Sequence, residues 1–341
     1  MTWEELEDFL WEAAPPVETA RLLAAVAERT HRYTDERERL AAPVPARDRD
    51  RDLAARAVFF TLADAPKVGV PLAELETRGL VPAAEPLRVL DAGAGCGALT
   101  YGTLAALPGR TLEVTAVDQD RGALDLFARV AARLPLTLHA VAGDATRALP
   151  AGPFDICLAG SLLNELAEDA RLPLVAALVA RLRPGGAVIL VEPALRDETR
   201  ALHRLRDAIL RDRIAHVFAP CTHEGGCPAL ANPRDWCHED RPFSPPPRLR
   251  QLAARLGLRR GGLKFAYLTL RAEPGTIADG ALRIVSGPLD QKGTIERIGC
   301  GASGWVRLRA LKRHKPATLG DARRGDLLHP DGRRERIISR P

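Results

Sequence analysis

Aromatic residues are scarce in this 341-residue sequence: Phe, Trp and Tyr together make up 4% of it. With 46% hydrophobic residues, the core must be built from Ala, Leu and Val. Only five of the 49 basic residues are Lys: Lys67, Lys264, Lys292, Lys312 and Lys315. No stretch approaches the roughly 20 apolar residues of a membrane span, so a spanning helix is not expected. The opening MTWEELEDFLWEAAPP has neither the basic start and apolar run of a secretory signal nor the Arg-rich, acid-poor character of a transit peptide. A cytoplasmic chain with reduced cysteines is therefore expected. Acidic residues are missing from 241–272, where eight basic residues meet no Asp or Glu.

That last absence belongs to a wider asymmetry. Residues 241–341 hold 22 Lys and Arg against 8 Asp and Glu, a net of +14, whereas residues 1–240 carry a net of −9. The overall formal charge is +5. An acidic body with a basic C-terminal third points to a polyanionic partner for that third.

Residues 3–42 read as helices, 43–52 as a charged linker, 53–64 as helix again and 66–86 as loops punctuated by Pro and Gly. From residue 87 strands alternate with helices. The strands are 87–92, 112–118, 136–144, 154–160 and 187–193; the helices are 98–107, 121–134, 162–182 and 194–215. This alternation predicts a doubly wound, mostly parallel α/β sheet. Residues 216–247 are rich in Cys, His, Pro and Gly and have no periodicity. A short helix at 248–256, a strand at 264–271 and a small β module over 280–340 complete the reading. The expected division is 1–80 helical, 81–275 the α/β domain with its Cys-rich insertion at 216–247, and 276–341 the basic module.

The stretch LRVLDAGAGCGALT sets Asp91, Gly93, Gly95 and Gly97 between a strand and a helix. Glycines there let the chain turn sharply and let a ligand lie against bare backbone. Read as G-x-G-x-x-A it meets the dinucleotide fingerprint. Read as D-x-G-x-G-x-G it resembles the first motif of class I methyltransferases that use S-adenosylmethionine. Three further features favour the second reading: Gly143-Asp144 after the third strand, Arg183-Pro184-Gly185-Gly186 before the fifth, and Asp91 itself. Asp118, ending the second strand, suits a ribose in either cofactor. The expected cofactor contacts are Asp91, Gly93, Gly95, Gly97, Asp118 and Asp144, with Asp91 either touching ligand or orienting the loop. The stretch after the fourth strand has no motif of amino-group or cytosine-C5 methyl transfer. Asn164 and Glu165 are candidate substrate contacts or helix-start capping groups, and no catalytic residue is assigned.

Cys221, Cys227 and Cys237 fall within 17 residues, and Cys300 follows between two glycines. Thiols gathered in an aperiodic loop mark a metal site in a reducing compartment. The spacing lacks the C-x2-C pairs of most zinc ribbons, but His223 and His238 beside the thiols keep zinc open. Four thiolates are also the usual ligands of an iron–sulfur cluster. Cys96 and Cys157 read as small core residues.

A methyltransferase-like domain interrupted by A-P-C-x-H-x-G-x-C-P and W-C-H resembles the mitochondrial small-ribosomal-subunit assembly factor family, which has bacterial relatives. Lys312-Arg313-His314-Lys315 and Asp321-Ala322-Arg323-Arg324-Gly325-Asp326 resemble that family's C-terminal motif. The resemblance covers roughly residues 50–330. It implies a 4Fe-4S cluster on Cys221, Cys227, Cys237 and Cys300, and association with the small ribosomal subunit and its rRNA. Candidate RNA contacts are Arg307, Arg309, Lys312, Arg313, Lys315, Arg323 and Arg324, together with the basic segment 241–272; Trp305, Phe265 and Tyr267 are candidates for stacking on bases or for the core. The expected protein is an assembly or translation factor, monomeric off the ribosome. The alternatives are an active S-adenosylmethionine-dependent rRNA methyltransferase and a zinc-containing small-molecule methyltransferase.

Overall fold

The computed structural model describes residues 1–34, 44–258, 261–314 and 317–339. Its N-terminal part is helical: α1 (Trp3–Ala13), α2 (Thr19–Thr34), α3 (Arg49–Ala55), α4 (Leu62–Asp64) and α5 (Gly69–Thr77). A capping box starts α1, with the Glu5 amide donating to Thr2 Oγ1 and the Thr2 amide to Glu5. Two expectations fail here. The charges at 46–52 form helix rather than linker, because they pair among themselves and with α2: Arg51 with Asp48 and Glu28, Asp52 with Arg29. Residues 66–77 are likewise helical and largely buried, since Pro66 and Pro71 occupy first turns, where no intrahelical amide bond is lost, while 78–86 are turn and loop as expected.

The central sheet contains β1 (Leu87–Ala92), β2 (Leu112–Asp118), β3 (Leu136–Ala142), β4 (Phe154–Gly160), β5 (Leu182–Pro193), β6 (His216–Ala219), β7 (Glu239–Pro242) and β8 (Gly262–Arg271). Its order is β3-β2-β1-β4-β5-β8-β6, with β7 also on β8. The first five strands are parallel and β8 runs antiparallel to β5. This is the class I methyltransferase-like arrangement. The connecting helices are α6 (Ala98–Ala106), α7 (Arg121–Ala131), α8 (Glu168–Val179) and α9 (Arg196–Arg211), with α10 (Pro247–Arg255) ahead of β8. Alternation along β1 sends Leu87 and Val89 to one apolar cluster and Leu90 and Ala92 to the other. The first cluster takes in the N-terminal helices, α6, α7 and α10; the second takes in α8 and α9. Cys96 and Cys157 are buried in these clusters, as expected.

The aperiodic 216–247 stretch is more ordered than its composition suggests. β6 pairs with Thr269–Arg271 and β7 with Gly262–Phe265, both antiparallel. They are two halves of one edge position along β8, and residues 220–238 form an excursion between them.

A second, antiparallel sheet follows: β9 (Leu282–Ile284), β10 (Thr294–Gly301), β11 (Gly304–Leu311), β12 (Leu327–Leu328) and β13 (Arg334–Glu335), ordered β11-β10-β9-β12-β13, with α11 (Ala317–Gly320) before β12. Leu327 and Ile337 attach it to the first apolar cluster, and a set of polar bonds fixes its position. Arg283 Nη1 donates to Glu74 Oε1 on α5 at 2.7 Å and to Gly325 O at 3.0 Å, and Nε donates to Pro220 O at 2.9 Å. Tyr267 on β8 donates its hydroxyl to the other Glu74 oxygen at 2.7 Å. Nearby, Arg78 grips Glu335 with two parallel bonds of 2.7 and 2.9 Å.

Removing one member of a buried ion pair strands the other, at a cost of about 3–5 kcal/mol. Glu74→Gln should therefore lower the denaturation midpoint sharply. The paired change Glu74→Leu with Arg283→Met should not restore the midpoint, because Pro220 O, Gly325 O and the Tyr267 hydroxyl then lose their partners. Urea titration of the full chain checks this, and an unchanged midpoint for Glu74→Gln would show that the pair carries no such weight.

Candidate cofactor cleft and cysteine centre

The carboxyl ends of β1, β2 and β3 open into a cleft of about 810 Å³. Gly93, Asp118, Gly143 and Asp144 line it, with Leu162 and Glu165 from the loop after β4. Gly93 and Gly97 are both left-handed, at φ +69° and +91°. A Cβ on Gly97 would stand 2.6 Å from the Phe127 ring, and one on Gly93 would stand 2.8 Å from the Leu162 side chain. The loop therefore needs glycine for conformation and for space. Gly95 is also left-handed, at φ +53°, and its amide donates to Asp118 Oδ2 at 2.8 Å; the Asp120 amide donates to Oδ1 at 2.8 Å. Asp118 thus fixes the loop while still facing the cleft, and its carboxylate retains acceptor capacity. Asp144 accepts from both the amide and the hydroxyl of Thr146, at 2.8 and 2.7 Å, which holds its pKa down.

Asp91 does not line this cleft. It is 1% exposed, and Thr100 Oγ1 donates to it at 2.7 Å. Burial pushes its carboxyl up to about 7, the Thr100 bond pulling the other way. Its place is beneath the loop, tying β1 to α6, which is the orienting role of the two expected for it.

The N-terminal helices supply the outer wall. Arg29 holds Asp52 bidentately at 2.9 and 2.8 Å; Arg56 bonds Asp52 at 3.1 Å and also pairs with Asp120. Sequence reasoning missed this wall, because 43–52 read as linker. Beyond the cleft, Asn164 is buried with neither side-chain amide atom partnered, and so is one oxygen of Glu192. Burial raises Glu192 to about 8, while its other oxygen accepts from the Leu163 amide at 3.0 Å.

The four cysteines come from the excursion and from β10. Each of Cys227, Cys237 and Cys300 has its thiol pKa raised by burial and then by neighbouring cysteines, Cys227 to about 11 and Cys300 to about 12. Cys221 is among the neighbours that raise all three. Among the described residues, no three His, Cys, Asp or Glu stand close enough to hold a single metal ion. A cubane cluster carries its thiolates on four separate irons, so its ligands stand farther apart than those of one ion. Four thiols are the donor type such a cluster takes, and the neighbouring Asp207 carboxylate is taken up by the Cys227 amide and Arg206. His223 Nε2 lies 4.0 Å from the Cys300 sulfur, and the Trp305 indole lies on the cross-strand neighbour of Cys300.

One face of α9 carries the loop. Arg200 donates to the carbonyls of Ala229, Asn232 and Asp235 at 2.7–2.8 Å. Arg206, fully buried, donates to the carbonyls of Gly225 and His223 at 2.6 and 2.7 Å and to Asp207 at 2.6 Å. Asp207 accepts from the Cys227 amide, and His203 Nε2 from the Cys237 amide at 3.3 Å. The spacing of residues 200, 203, 206 and 207 is helical and could have been read from sequence as a polar stripe.

The basic candidates divide. Arg307 and Arg309 are exposed on β11 and flank the buried Glu296 at 3.4 and 3.2 Å. Lys312, Arg313 and Arg323 are exposed, and Lys315 lies outside the described residues. Arg324 is half-buried and donates to His238 O at 3.1 Å, so it faces the cysteine loop rather than open solvent. Within 241–272, Arg241 pairs with Glu239, Arg248 with Asp8, Lys264 with Asp240 and Arg271 with Glu273. The missing acids of that segment are supplied in space from outside it. Phe265 and Tyr267 are buried and belong to the core.

The fold and the glycine-loop cleft define a class I methyltransferase-like protein with a cysteine-bearing edge. Residues 68–326 match the family described as mitochondrial small ribosomal subunit Rsm22, and the chain belongs to that family. No curated protein matches it. Among solved structures it is similar to a glycopeptide N-methyltransferase, MtfA, complexed with sinefungin, at 29% identity over 36% of this chain, with a TM-score of 0.29; the chain covers about half (49%) of that protein. It is also similar to the magnesium protoporphyrin IX methyltransferase of Synechocystis PCC 6803 with bound S-adenosylmethionine, at 13% identity over 72% of this chain and 96% of that one, with a TM-score of 0.39. The plantazolicin methyltransferase BpumL in complex with SAH gives 14% identity, 74% and 96% coverage and a TM-score of 0.40.

Asp91 provides a test with a defined sign. Its folded pKa, about 7, lies above the unfolded value of 3.8, so its proton stabilises the fold fully below pH 4. That contribution, up to roughly 4 kcal/mol, is lost as pH rises toward 7. Asp91→Asn should remove this slope. Melting curves from pH 4 to 8 should therefore show the stability of wild type falling relative to Asp91→Asn, and parallel curves would overturn the assignment.

Proposed function

We propose that this protein acts on the small ribosomal subunit as an rRNA-associated assembly or translation factor, with S-adenosylmethionine in the cleft and a 4Fe-4S cluster on Cys221, Cys227, Cys237 and Cys300. The observation that carries the reading is the family match running through the cysteine loop into the basic module. In this reading residues 1–80, 81–275 and 276–341 are the three working units, in a cytoplasmic chain that is monomeric off the ribosome. Gly93, Gly95 and Gly97 would admit the cofactor against bare backbone, Asp118 would accept from ribose hydroxyls, and Asp144 would face the base. Bound, the cofactor supplies an electrophilic methyl group. The cluster would link the loop of the central sheet to β10 of the basic module.

What this chain's residues do is clearer than any transfer step. α9 orders the loop through Arg200, His203, Arg206 and Asp207, so the thiols are presented before metal arrives. The raised pKa values of Cys227, Cys237 and Cys300 mean that binding must displace their protons, which makes assembly more favourable at higher pH. Arg307, Arg309, Lys312, Arg313, Lys315 and Arg323 would neutralise rRNA phosphates. Arg324 would act at the seam with the loop.

Three measurements test the reading. Anaerobically purified protein should hold close to four iron and matching sulfide, as a four-thiolate cluster requires; stoichiometric zinc without sulfide would overturn the cluster. Asp118→Ala should weaken S-adenosylmethionine binding by calorimetry, and wild-type protein that takes up no ligand would leave the cleft a scaffold. Arg309→Glu with Arg313→Glu should weaken co-sedimentation with small-subunit particles and flatten its salt dependence. Unchanged co-sedimentation would remove the ribosomal assignment.

A further inference from the structure

Trp236 has no part in the functions assigned above, yet it is one of the few large apolar side chains left exposed, at 37%. It is not loose. The residue before it is tied to α9 by the Arg200 bond to Asp235 O at 2.7 Å, and the residue after it by the Cys237 amide bond to His203 at 3.3 Å. His238 backs the indole, with ring centroids 6.0 Å apart and planes within 20°. One face of the ring is therefore occupied and its orientation fixed.

Trp236 borders a pocket of about 310 Å³ against Thr34, Leu195, Arg196, Asp197 and Glu198. Leu195 to Glu198 follow β5 directly, so the pocket lies along the same carboxyl edge of the sheet as the cofactor cleft, where ligands of open α/β sheets bind. α2 spans both: Arg29 lines the cleft and Thr34 the pocket. Glu198 also borders a small cavity that holds buried Asn164, whose amide oxygen and nitrogen both lack partners.

The charges in this pocket are matched. Asp197 faces Arg196 at 3.1 Å, and Glu198 lies 4.0 Å from Arg171. A phosphate gains nothing next to two carboxylates. A neutral planar group with hydrogen-bonding edges fits better: it stacks on the indole and meets both donors and acceptors at the rim. We propose that Trp236 and this pocket bind one unpaired nucleobase bearing an exocyclic amino group, which the carboxylates would accept from. The proposal rests on the RNA reading above and assigns the base-contacting part of it to the cysteine loop, apart from the phosphate-contacting arginines of β11.

The test is binding of fluorescent single-stranded hexamers, oligo(A), oligo(C) and oligo(U), to the metal-replete full chain, read by anisotropy at several salt concentrations. Trp236→Ala should weaken oligo(A) and oligo(C) roughly tenfold, the order of one base–aromatic stack, with the salt slope unchanged. Trp236→Phe should recover most of the loss, and both variants should keep wild-type metal content. Oligo(U) should bind less tightly than the other two. Arg309→Glu with Arg313→Glu should instead reduce the salt slope. If Trp236→Ala binds as wild type does while the arginine variant is weakened, the base site is wrong and the RNA reading stands. If wild type binds no hexamer, both fall. If an Arg-containing peptide binds in a Trp236-dependent way and oligonucleotides do not, the pocket serves a protein partner and the proposal is overturned.

Discussion

Arg283 is the constraint on which the assembly of this fold depends. Burial alone would lower its pKa; Glu74, Tyr267 and Glu239 more than offset that and keep the guanidinium charged. A buried cation is costly without partners; here Nη1 and Nε find three, Tyr267 holds one of them in place, and Nη2 has none. Glu74 lies on α5, Pro220 starts the cysteine excursion, Gly325 sits beside β12, and Tyr267 on β8 shares Glu74. Displacing any of these segments leaves an unsatisfied charge in the interior. The small sheet, the central sheet and the N-terminal helices therefore share one geometry. Apolar packing supports the joint without specifying it, because apolar contacts are non-directional. The tight fit at Gly325, where a Cβ would meet Arg241 and Glu239, shows a second polar contact at the same seam.

That joint explains how cysteines distant in sequence come together. Cys221 is one residue beyond Pro220, which Arg283 holds, and Cys300 pairs in register with Arg283 across β9 and β10. Thr222 adds a bond to Ala281 O at 2.7 Å. The thiol of the loop and the thiol of the small sheet are thus positioned by the same side chain. Such an arrangement lets protein contacts set the approach of the thiols, with α9 supplying the remainder through Arg206 and His203.

Much of this was legible in the sequence, and the gaps have physical causes. β1, β4 and β5 were readable because strands buried on both faces are continuous apolar runs bounded by turns, and β2 and the edge strand β3 because their side chains alternate. The glycine loop was readable because left-handed backbone and close approach admit almost no other residue. What was hidden was pairing over distance. The charged run at 46–52 looked like a linker because its partners, Glu28 and Arg29, lie a helix away. Segment 241–272 looked uncompensated because Asp8, Glu239, Asp240 and Glu273 fall outside it. The halves β6 and β7 are four residues each, too short to show alternation.

The same distinction alters the meaning of the charge asymmetry. A sequence count treats every Arg in the last hundred residues as available to a polyanion. In the fold, several are structural. Arg283 and Arg297 are buried. Arg334 and Arg336 converge on the fully buried Asp326, Arg336 through bonds of 2.8 and 2.7 Å. Arg324 faces the cysteine loop. Charge that still faces water includes Arg307, Arg309, Lys312 and Arg313 on β11 and the turn after it, with Arg250, Arg255, Lys292 and Arg323 exposed elsewhere. Of these, Arg307 and Arg309 straddle Glu296, whose carboxylate fixes their spacing while cancelling part of their charge. Glu296 is itself buried, so a phosphate that displaced it would leave its carboxylate unpaired at a cost. The net +14 therefore overstates the interface and understates the architecture: arginine here first builds the joint, and only the remainder is offered to a partner.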